Sequence, residues 1–118
     1  MTTASSDCLF CKIIDGRIPA RIAHQDDQVV AFHDVNPQAP RHMLICPREH
    51  IATLNDLQPR HEALIGHTVL VARQLARGLG DDADGYRVVM NCGPAAGQSV
   101  FHIHVHLLGG RTFGWPPG

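Results

Sequence analysis

Residues 101–108 read Phe-His-Ile-His-Val-His-Leu-Leu, an alternation of imidazoles with apolar side chains. Successive side chains of a β-strand point to opposite faces of the sheet. The alternation therefore predicts a strand over 100–108 with one apolar face turned toward the core. The other face would carry a row of three imidazoles: His102, His104 and His106.

Three interpretations of this row are open on the residues alone. It could be a histidine-rich surface, or it could be a metal site, because imidazoles at positions i and i+2 of a strand suit zinc. We favour nucleophilic catalysis by one imidazole, because a neutral ring is available near neutral pH and can attack phosphorus. The preceding loop, Gly97-Gln98-Ser99, supports phosphate chemistry, since backbone N–H groups in such loops bind phosphate oxygens.

The composition is that of an ordinary globular domain. The chain has 118 residues, of which 44% are apolar and 18% charged, and its formal net charge is -1. These values exclude a disordered chain and argue against a nucleic-acid polymer as partner, which normally requires a basic excess. We expect a flexible tail over 1–7 and a single domain over 8–118. No apolar run approaches the roughly 18 residues that cross a membrane.

The N-terminal residues predict a cytoplasmic protein, because 1–7 lack the basic and apolar regions of a secretory signal. Cysteines in that compartment are usually thiols or metal ligands. The motif Cys8-x-x-Cys11 needs two further ligands to form a closed zinc site, and His50 and His102 are candidates. The alternative is a pair of reduced thiols that pack a helix. Among the remaining residues we expect small core cysteines at Cys46 and Cys92 and surface histidines at His24, His61 and His67.

Periodicity and turn residues predict an α+β fold. Pro59 opens a long helix whose apolar residues recur at helical spacing as far as Gly78. The run 8–15 predicts a short helix that Gly16 ends. Together with the extended runs, this order predicts a five-stranded antiparallel sheet with one long and one short helix. The predicted strands are 21–25, 28–34, 42–47, 86–90 and 100–108.

The histidine row and its flanking motifs resemble a known family, the histidine-triad (HIT) superfamily. The central match is His-x-His-x-His preceded by Gly97-Gln98-Ser99-Val100. The end of the chain is similar to one branch of that superfamily, the histidine-triad nucleotide-binding (Hint) proteins. The other matching motifs, which extend the resemblance from Cys8 to Gly118, are Phe32-His33-Asp34, Pro37-Gln38-Ala39-Pro40, His42, Gly109-Gly110-Arg111 and Trp115-Pro116-Pro117-Gly118.

The resemblance implies the HIT fold, assembled as a homodimer that binds a purine nucleotide. It also implies hydrolysis of nucleoside 5'-phosphoramidates and related nucleotidyl anhydrides through a covalent nucleotidyl-histidine. His104 matches the nucleophile, whose other ring nitrogen is held by the backbone carbonyl of His102. His106 matches a phosphate-binding imidazole, Ser99 a hydroxyl near the leaving group, and His42 an imidazole that extends the hydrogen-bond network.

The same resemblance assigns the nucleotide contacts to Asp34, Val35, Asn91, Gly97, Gln98, Ser99, His104 and His106. Asp34 matches the acid that accepts hydrogen bonds from the ribose hydroxyls, and Asn91 matches a polar contact on the phosphate and ribose side. The residues alone leave structural alternatives open. Asp34 could be a turn former, His42 a hydrogen-bonded strand histidine, and Asn91 a loop cap.

The resemblance further implies a structural zinc ion held by Cys8, Cys11, His50 and His102, with no organic cofactor. The ring of His102 would then serve the metal while its carbonyl serves the nucleophile. Two other functions remain open: a zinc- and nucleotide-binding module with little turnover, and a dinucleoside-polyphosphate hydrolase. The last 10 residues, with their Gly-Gly-Arg and Trp-Pro-Pro-Gly motifs, argue against the second.

Overall fold

The five-stranded antiparallel sheet is confirmed, and its strand order places the last strand inside it. The structure is a computed structural model that describes residues 7–118. The strands are β1 (Ile22–Gln25), β2 (Val29–His33), β3 (Arg41–Pro47), β4 (Tyr86–Val89) and β5 (Val105–Gly109). Their spatial order is β1-β2-β3-β5-β4, and each neighbouring pair is antiparallel. The predicted tail lies outside the described residues except for Asp7.

The predicted long and short helices are also present. They are α1 (Leu9–Ile14) and α2 (Glu62–Gly78), and a third helix of four residues, α3 (Asp81–Asp84), follows α2. Cys8 caps the N-terminus of α1, because its Sγ accepts a hydrogen bond from the backbone N–H of Cys11 at 3.3 Å. The Cys-x-x-Cys spacing thus places both sulfur atoms at the first turn of α1.

Helix α2 packs on one face of the sheet. The buried residues of α2 that the apolar periodicity predicted include Val71 and Ala72, whereas Leu79 at its end is 42% exposed. Each large apolar side chain buried in such a layer contributes about 1.5–3 kcal/mol to stability. The core on this face consists of Val29, Ala31, Met43, Ile45, Val71, Ala72, Ala76, Val105 and Leu107.

Helix α1 covers only part of the opposite face. Its Phe10 packs with Phe32 of β2, and the ring centroids are 5.3 Å apart. On the same face Leu44 of β3 stands opposite His106 of β5. His106 therefore lies at the boundary between the apolar packing under α1 and the uncovered side of the sheet.

The predicted strand over 100–108 is wrong in its first half, since β5 begins only at Val105. Residues 100–104 are held by other contacts. The backbone N–H of Ile103 donates to the carbonyl of Ile51 at 2.8 Å. The neighbouring strand, β3, ends at Pro47, and a proline has no N–H that could continue the hydrogen-bond ladder. His102 and His104 therefore precede the strand, and His106 alone of the three lies in it.

No helix in residues 7–118 combines the length and the apolar character needed to cross a membrane.

Candidate active site and metal centre

Three imidazoles form a continuous row across β3 and β5. The ring centroids of His104 and His106 are 4.9 Å apart, and those of His106 and His42 are 5.2 Å apart. A hydrogen bond of 2.9 Å joins His42 Nε2 to His106 Nδ1. The structure thus brings together the three imidazoles that the resemblance placed in catalysis.

His104 has one ring nitrogen committed and the other available. Its Nδ1–H donates to the backbone carbonyl of His102 at 2.7 Å. Nε2 of the neutral ring therefore keeps a lone pair. Burial lowers the pKa of His104 and so favours the neutral ring. The edge-to-face contact with Phe10, 4.9 Å between centroids, helps to hold the ring in place. A neutral imidazole in this state can act as a nucleophile.

The other two imidazoles are also held in the neutral form. Burial, followed by repulsion from His104 and His42, lowers the pKa of His106 to about 4. Burial also lowers the pKa of His42, although Asp34 acts in the opposite direction. Near pH 7 the row therefore presents uncharged rings that can each donate and accept one hydrogen bond.

Asp34 lies immediately after β2, and one of its carboxylate oxygens already accepts a hydrogen bond within the loop. Its Oδ1 accepts a hydrogen bond from the backbone N–H of Asn36 at 2.8 Å, which is the turn-forming contact left open above. Its Oδ2 lies 3.5 Å from His42 Nε2. The turn and the ligand-binding interpretations of Asp34 are therefore compatible, because Oδ2 remains available to a ligand.

An apolar cavity of about 330 Å³ opens beside the row. It is lined on one side by α1 and β2 and on the other by Ser99, His104 and His106. Val35 lies at the same cavity and is 99% exposed. The volume and the mixture of apolar walls with a few polar groups are typical of a small-molecule site.

The loop before β5 is held by one buried side chain. Gln98 is 4% exposed, and its amide bonds the backbone of Gly93, Ala52 and Val100. Only its backbone is left to face a ligand. Gly97 has φ = +93°, a conformation that favours glycine.

Asn91 does not line the apolar cavity. It lies in a second cleft, of about 250 Å³, on the other side of His106 and His42. The structure therefore brings Asn91 to the imidazole row but separates it from Asp34 and Ser99.

The four predicted metal ligands form a compact cluster under α1. His102 Nδ1 lies 3.5 Å from Cys8 Sγ and 3.4 Å from Cys11 Sγ. His50 Nδ1 lies 3.3 Å from Cys11 Sγ and 3.3 Å from His102 Nδ1. Ligand atoms around a tetrahedral zinc ion stand about 3.3–3.6 Å apart, so these atoms fit one ion.

The orientation of His102 also suits a metal ligand. Its Nε2–H donates to the backbone carbonyl of Pro47 at 2.6 Å, which leaves the Nδ1 lone pair directed at the sulfur atoms. Such a second contact is usual for metal-binding imidazoles. Burial lowers the pKa of His102 to about 4, so the ring need not lose a proton at neutral pH.

A second group, Asp34, His42 and His106, also has ligand atoms close together. Its hydrogen bonds disfavour a metal. His42 Nδ1 accepts from the backbone N–H of Gln38 at 3.0 Å, so the neutral ring carries its proton on Nε2, the nitrogen that a metal would need. The Cys/His cluster is therefore the better metal site.

Several contacts escaped the sequence interpretation. Phe10 and Gln38 touch the imidazole row, but neither carries a chemical signal beyond a hydrophobic residue and a loop amide. His61, expected at the surface, is 4% exposed and bonds Glu49. His24 and His67 both bond one carboxylate oxygen of Asp26, at 2.8 and 2.7 Å. Cys46 is buried as expected, whereas Cys92 is only partly buried.

Comparison with known proteins assigns the chain to a family. Residues 15–113 match the family model described as HIT domain. The chain is 47% identical over 110 residues to a purine nucleoside phosphoramidase of Escherichia coli, covering 93% of this chain and 92% of that protein. It is 48% identical over 115 residues to a 14 kDa zinc-binding protein of Zea mays, covering 96% and 89%.

A solved structure gives the same result for the fold. The crystal structure of a HIT family hydrolase from Legionella pneumophila superposes with a TM-score of 0.93 at 48% identity. The match covers 95% of this chain and 100% of that one.

Proposed function

The chain belongs to the HIT domain family, and on that premise we propose that it is a purine nucleoside phosphoramidase. In this proposal it cleaves the P–N bond of nucleoside 5'-phosphoramidates, and related nucleotidyl anhydrides, through a covalent nucleotidyl-histidine. The observation that carries the proposal is the ring of His104, which lines the cavity and whose Nε2 keeps a lone pair because Nδ1–H is bonded to the His102 carbonyl.

The first step is attack by His104 Nε2 on the α-phosphorus. A bond forms between Nε2 and phosphorus, and the bond from phosphorus to the leaving nitrogen breaks. The leaving nitrogen departs as an amine after taking up a proton from solvent, which the second step returns when water attacks, and Ser99, which lines the cavity, provides a hydroxyl beside it. The carbonyl of His102 stabilises the positive charge that develops on the ring of His104.

The second step is hydrolysis of the nucleotidyl-histidine. Water attacks phosphorus, the bond to His104 Nε2 breaks, and the nucleoside monophosphate is released with the imidazole restored. His106 binds a phosphate oxygen during both steps, supported by its hydrogen bond to His42. The backbone of Gly97 and Gln98 and the amide of Asn91 contribute further phosphate contacts.

The nucleoside occupies the apolar cavity of about 330 Å³ in this proposal. The purine lies against the apolar side chains Phe10, Ile13 and Phe32, with Val35 at the mouth. Asp34 Oδ2 accepts hydrogen bonds from the ribose hydroxyls, since Oδ1 is already used by Asn36.

We also propose that the Cys/His cluster binds zinc, which supplies no catalytic chemistry and ties α1 to the segment before β5. The fit of the four ligand atoms and the resemblance to a zinc-binding protein support this assignment. The reducing cytoplasm, where we place the protein, would keep Cys8 and Cys11 from forming a disulfide.

The homodimer is likewise a proposal. Exposed apolar side chains remain on α2 at Val69 and Leu70, on the edge strand β4 at Val88, and in the C-terminal segment at Trp115, which is 86% exposed. A second copy of the chain would cover them. Light scattering at micromolar concentration should give twice the mass of one chain, and a monomer mass would refute the dimer.

The deciding experiment is an assay of the purified protein on adenosine 5'-phosphoramidate and, in parallel, on a diadenosine polyphosphate. We expect faster cleavage of the phosphoramidate and none by His104→Asn. Tight binding of AMP without turnover would instead indicate a binding module, and preference for the dinucleotide would indicate the other hydrolase class.

A further inference from the structure

The loop between β2 and β3 determines which nitrogen of His42 carries a proton. The backbone N–H of Gln38 donates to His42 Nδ1 at 3.0 Å. A backbone amide can only donate, so Nδ1 must accept, and the neutral ring of His42 carries its proton on Nε2. The side chain of Gln38 bonds the carbonyl of Asn36 within the same loop, so the contact with His42 is made by the backbone alone.

The same constraint passes to His106. His42 Nε2–H faces His106 Nδ1 at 2.9 Å and donates to it, so His106 in turn carries its proton on Nε2. That nitrogen is the one left for a ligand. His106 is thereby ordered as a hydrogen-bond donor, which is the orientation that a phosphate oxygen requires.

Arg111, near the C-terminus, holds the carbonyl of Gln38, which belongs to the peptide unit that follows the one carrying the Gln38 N–H. Its Nε–H donates to the carbonyl of Gln38 at 3.1 Å and its Nη1 donates to the carbonyl of Thr112 at 3.1 Å. Its guanidinium lies 4.2 Å from the centroid of the Phe113 ring. The guanidinium is therefore fixed by its own segment and restrains Gln38 from the carbonyl side of its Cα, one peptide unit away from the N–H that faces His42.

We propose that the backbone N–H of Gln38, restrained by Arg111, is the positioning element that makes His106 a phosphate donor. Without it the pair could reverse. His42 would carry its proton on Nδ1, His106 Nδ1–H would donate to His42 Nε2, and His106 Nε2 would present a lone pair to the phosphate. Repulsion between that lone pair and a phosphate oxygen would be strongest in the transition state, where that oxygen carries the most negative charge, so kcat would fall. The catalytic part of this inference rests on the proposed function, whereas the tautomer assignment does not.

The row contains its own internal control. His104 Nδ1–H donates to a carbonyl, the reverse of the situation at His42. Long-range ¹H–¹⁵N spectra of the ¹⁵N-labelled protein at neutral pH should show His42 and His106 protonated on Nε2 and His104 protonated on Nδ1. A proton on Nδ1 of His42 or His106 would overturn the proposal, whether or not the protein has activity.

Two substitutions at one position isolate the N–H. Gln38→Pro deletes the donor, and Gln38→Ala keeps it while removing the amide side chain. We expect Gln38→Ala to retain the wild-type tautomers and Gln38→Pro to show a mixture at His42, with kcat reduced about fivefold, the equivalent of one hydrogen bond. Wild-type tautomers in a folded Gln38→Pro protein would contradict the role of the N–H.

A second pair keeps the test usable if Gln38→Pro does not fold. Arg111→Gln removes the contact with Gln38. Arg87→Gln is the matched control, because Arg87 also lies over the Phe113 ring and bonds the carbonyl of Gly114 without touching Gln38. We expect a several-fold loss of kcat with unchanged KM for Arg111→Gln only. Equal losses in both variants would overturn the role of Arg111, and absence of turnover in the wild type would refute the proposed function instead.

Discussion

Two clusters of imidazoles share one residue and differ in what they can do. The ring of His102 belongs to a buried cluster with Cys8, Cys11 and His50, and its carbonyl belongs to the row formed by His104, His106 and His42. The first cluster presents four ligand atoms to one point. The second presents a cavity wall with one free lone pair.

The difference lies in the backbone group that each ring meets. His102 Nε2–H donates to the carbonyl of Pro47, which frees Nδ1 for a metal. His42 Nδ1 accepts from the N–H of Gln38, which puts the proton on the nitrogen that faces its neighbours. Identical side chains are thus oriented to offer a lone pair to a metal, or a proton to a neighbour, according to whether a carbonyl or an N–H bonds the other ring nitrogen.

The largest expected effect tests the row formed by His104, His106 and His42. His104→Asn removes the only lone pair that we assign to attack, so turnover of adenosine 5'-phosphoramidate should fall by about 10⁴-fold or more. Binding of AMP, measured by calorimetry, should persist because the cavity walls remain. A covalent nucleotide mapped by mass spectrometry to His102 or His106 would contradict the assignment.

The next effect tests the Cys/His cluster. Chelation of a bound metal should remove about 2.7 kcal/mol of stability if the free metal had been 100 times its Kd, which is on the order of 10 °C in Tm for a domain of this size. The rate per folded molecule should change less, because His104 needs only the carbonyl of His102. Metal analysis showing far less than one zinc per chain, in protein purified without chelator, would remove the claim. Cys92→Ser provides a control at a partly exposed cysteine outside the cluster.

A smaller effect is expected at Asp34, beside the imidazole row. Asp34→Asn keeps the turn-forming oxygen but removes the negative charge, so affinity for ribonucleotides should fall by about 1–3 kcal/mol. Calorimetry with AMP and with 2',3'-dideoxy-AMP checks the cause. If the wild type bound both nucleotides equally, Asp34 would not be reading the ribose hydroxyls.

The last effect is a pH dependence of stability, which is spread over the range between two pKa values. The pKa of His106 is about 4 in the folded chain against an ordinary value of 6.5, and that of His42 is also lowered, in both cases chiefly by burial. Between these values the unfolded chain binds more protons. The stabilisation is therefore complete above about pH 6.5 and is lost as the pH falls toward 4. Urea unfolding midpoints should show this slope, and His106→Gln should flatten it; equal slopes in both proteins would be inconsistent with a lowered pKa at His106.

The fold and the donor chemistry could be anticipated from residue patterns because each depends on local periodicity. Alternation in 101–108 predicted an apolar face that includes the buried Val105 and Leu107, and helical spacing predicted α2. Cys-x-x-Cys placed two sulfur atoms on one helical turn. The predicted strand start at residue 100 was wrong. The hydrogen bond between Ile103 and Ile51 and the end of β3 at Pro47 depend on contacts between segments that are distant in the sequence.

The sequence by itself determined which residues carry chemistry: a set of imidazoles, two thiols and one carboxylate at spacings that suit a sheet and a short helix. Only the tertiary structure decided what each of them does. The partners that orient the rings, Pro47 for His102 and Gln38 for His42, are 55 and 4 residues away. They contribute a carbonyl, which every residue type has, and an N–H, which every residue type except proline has. A hydrogen bond to the backbone leaves no trace in residue identity, so the protonation pattern of the site can be read only from the folded chain.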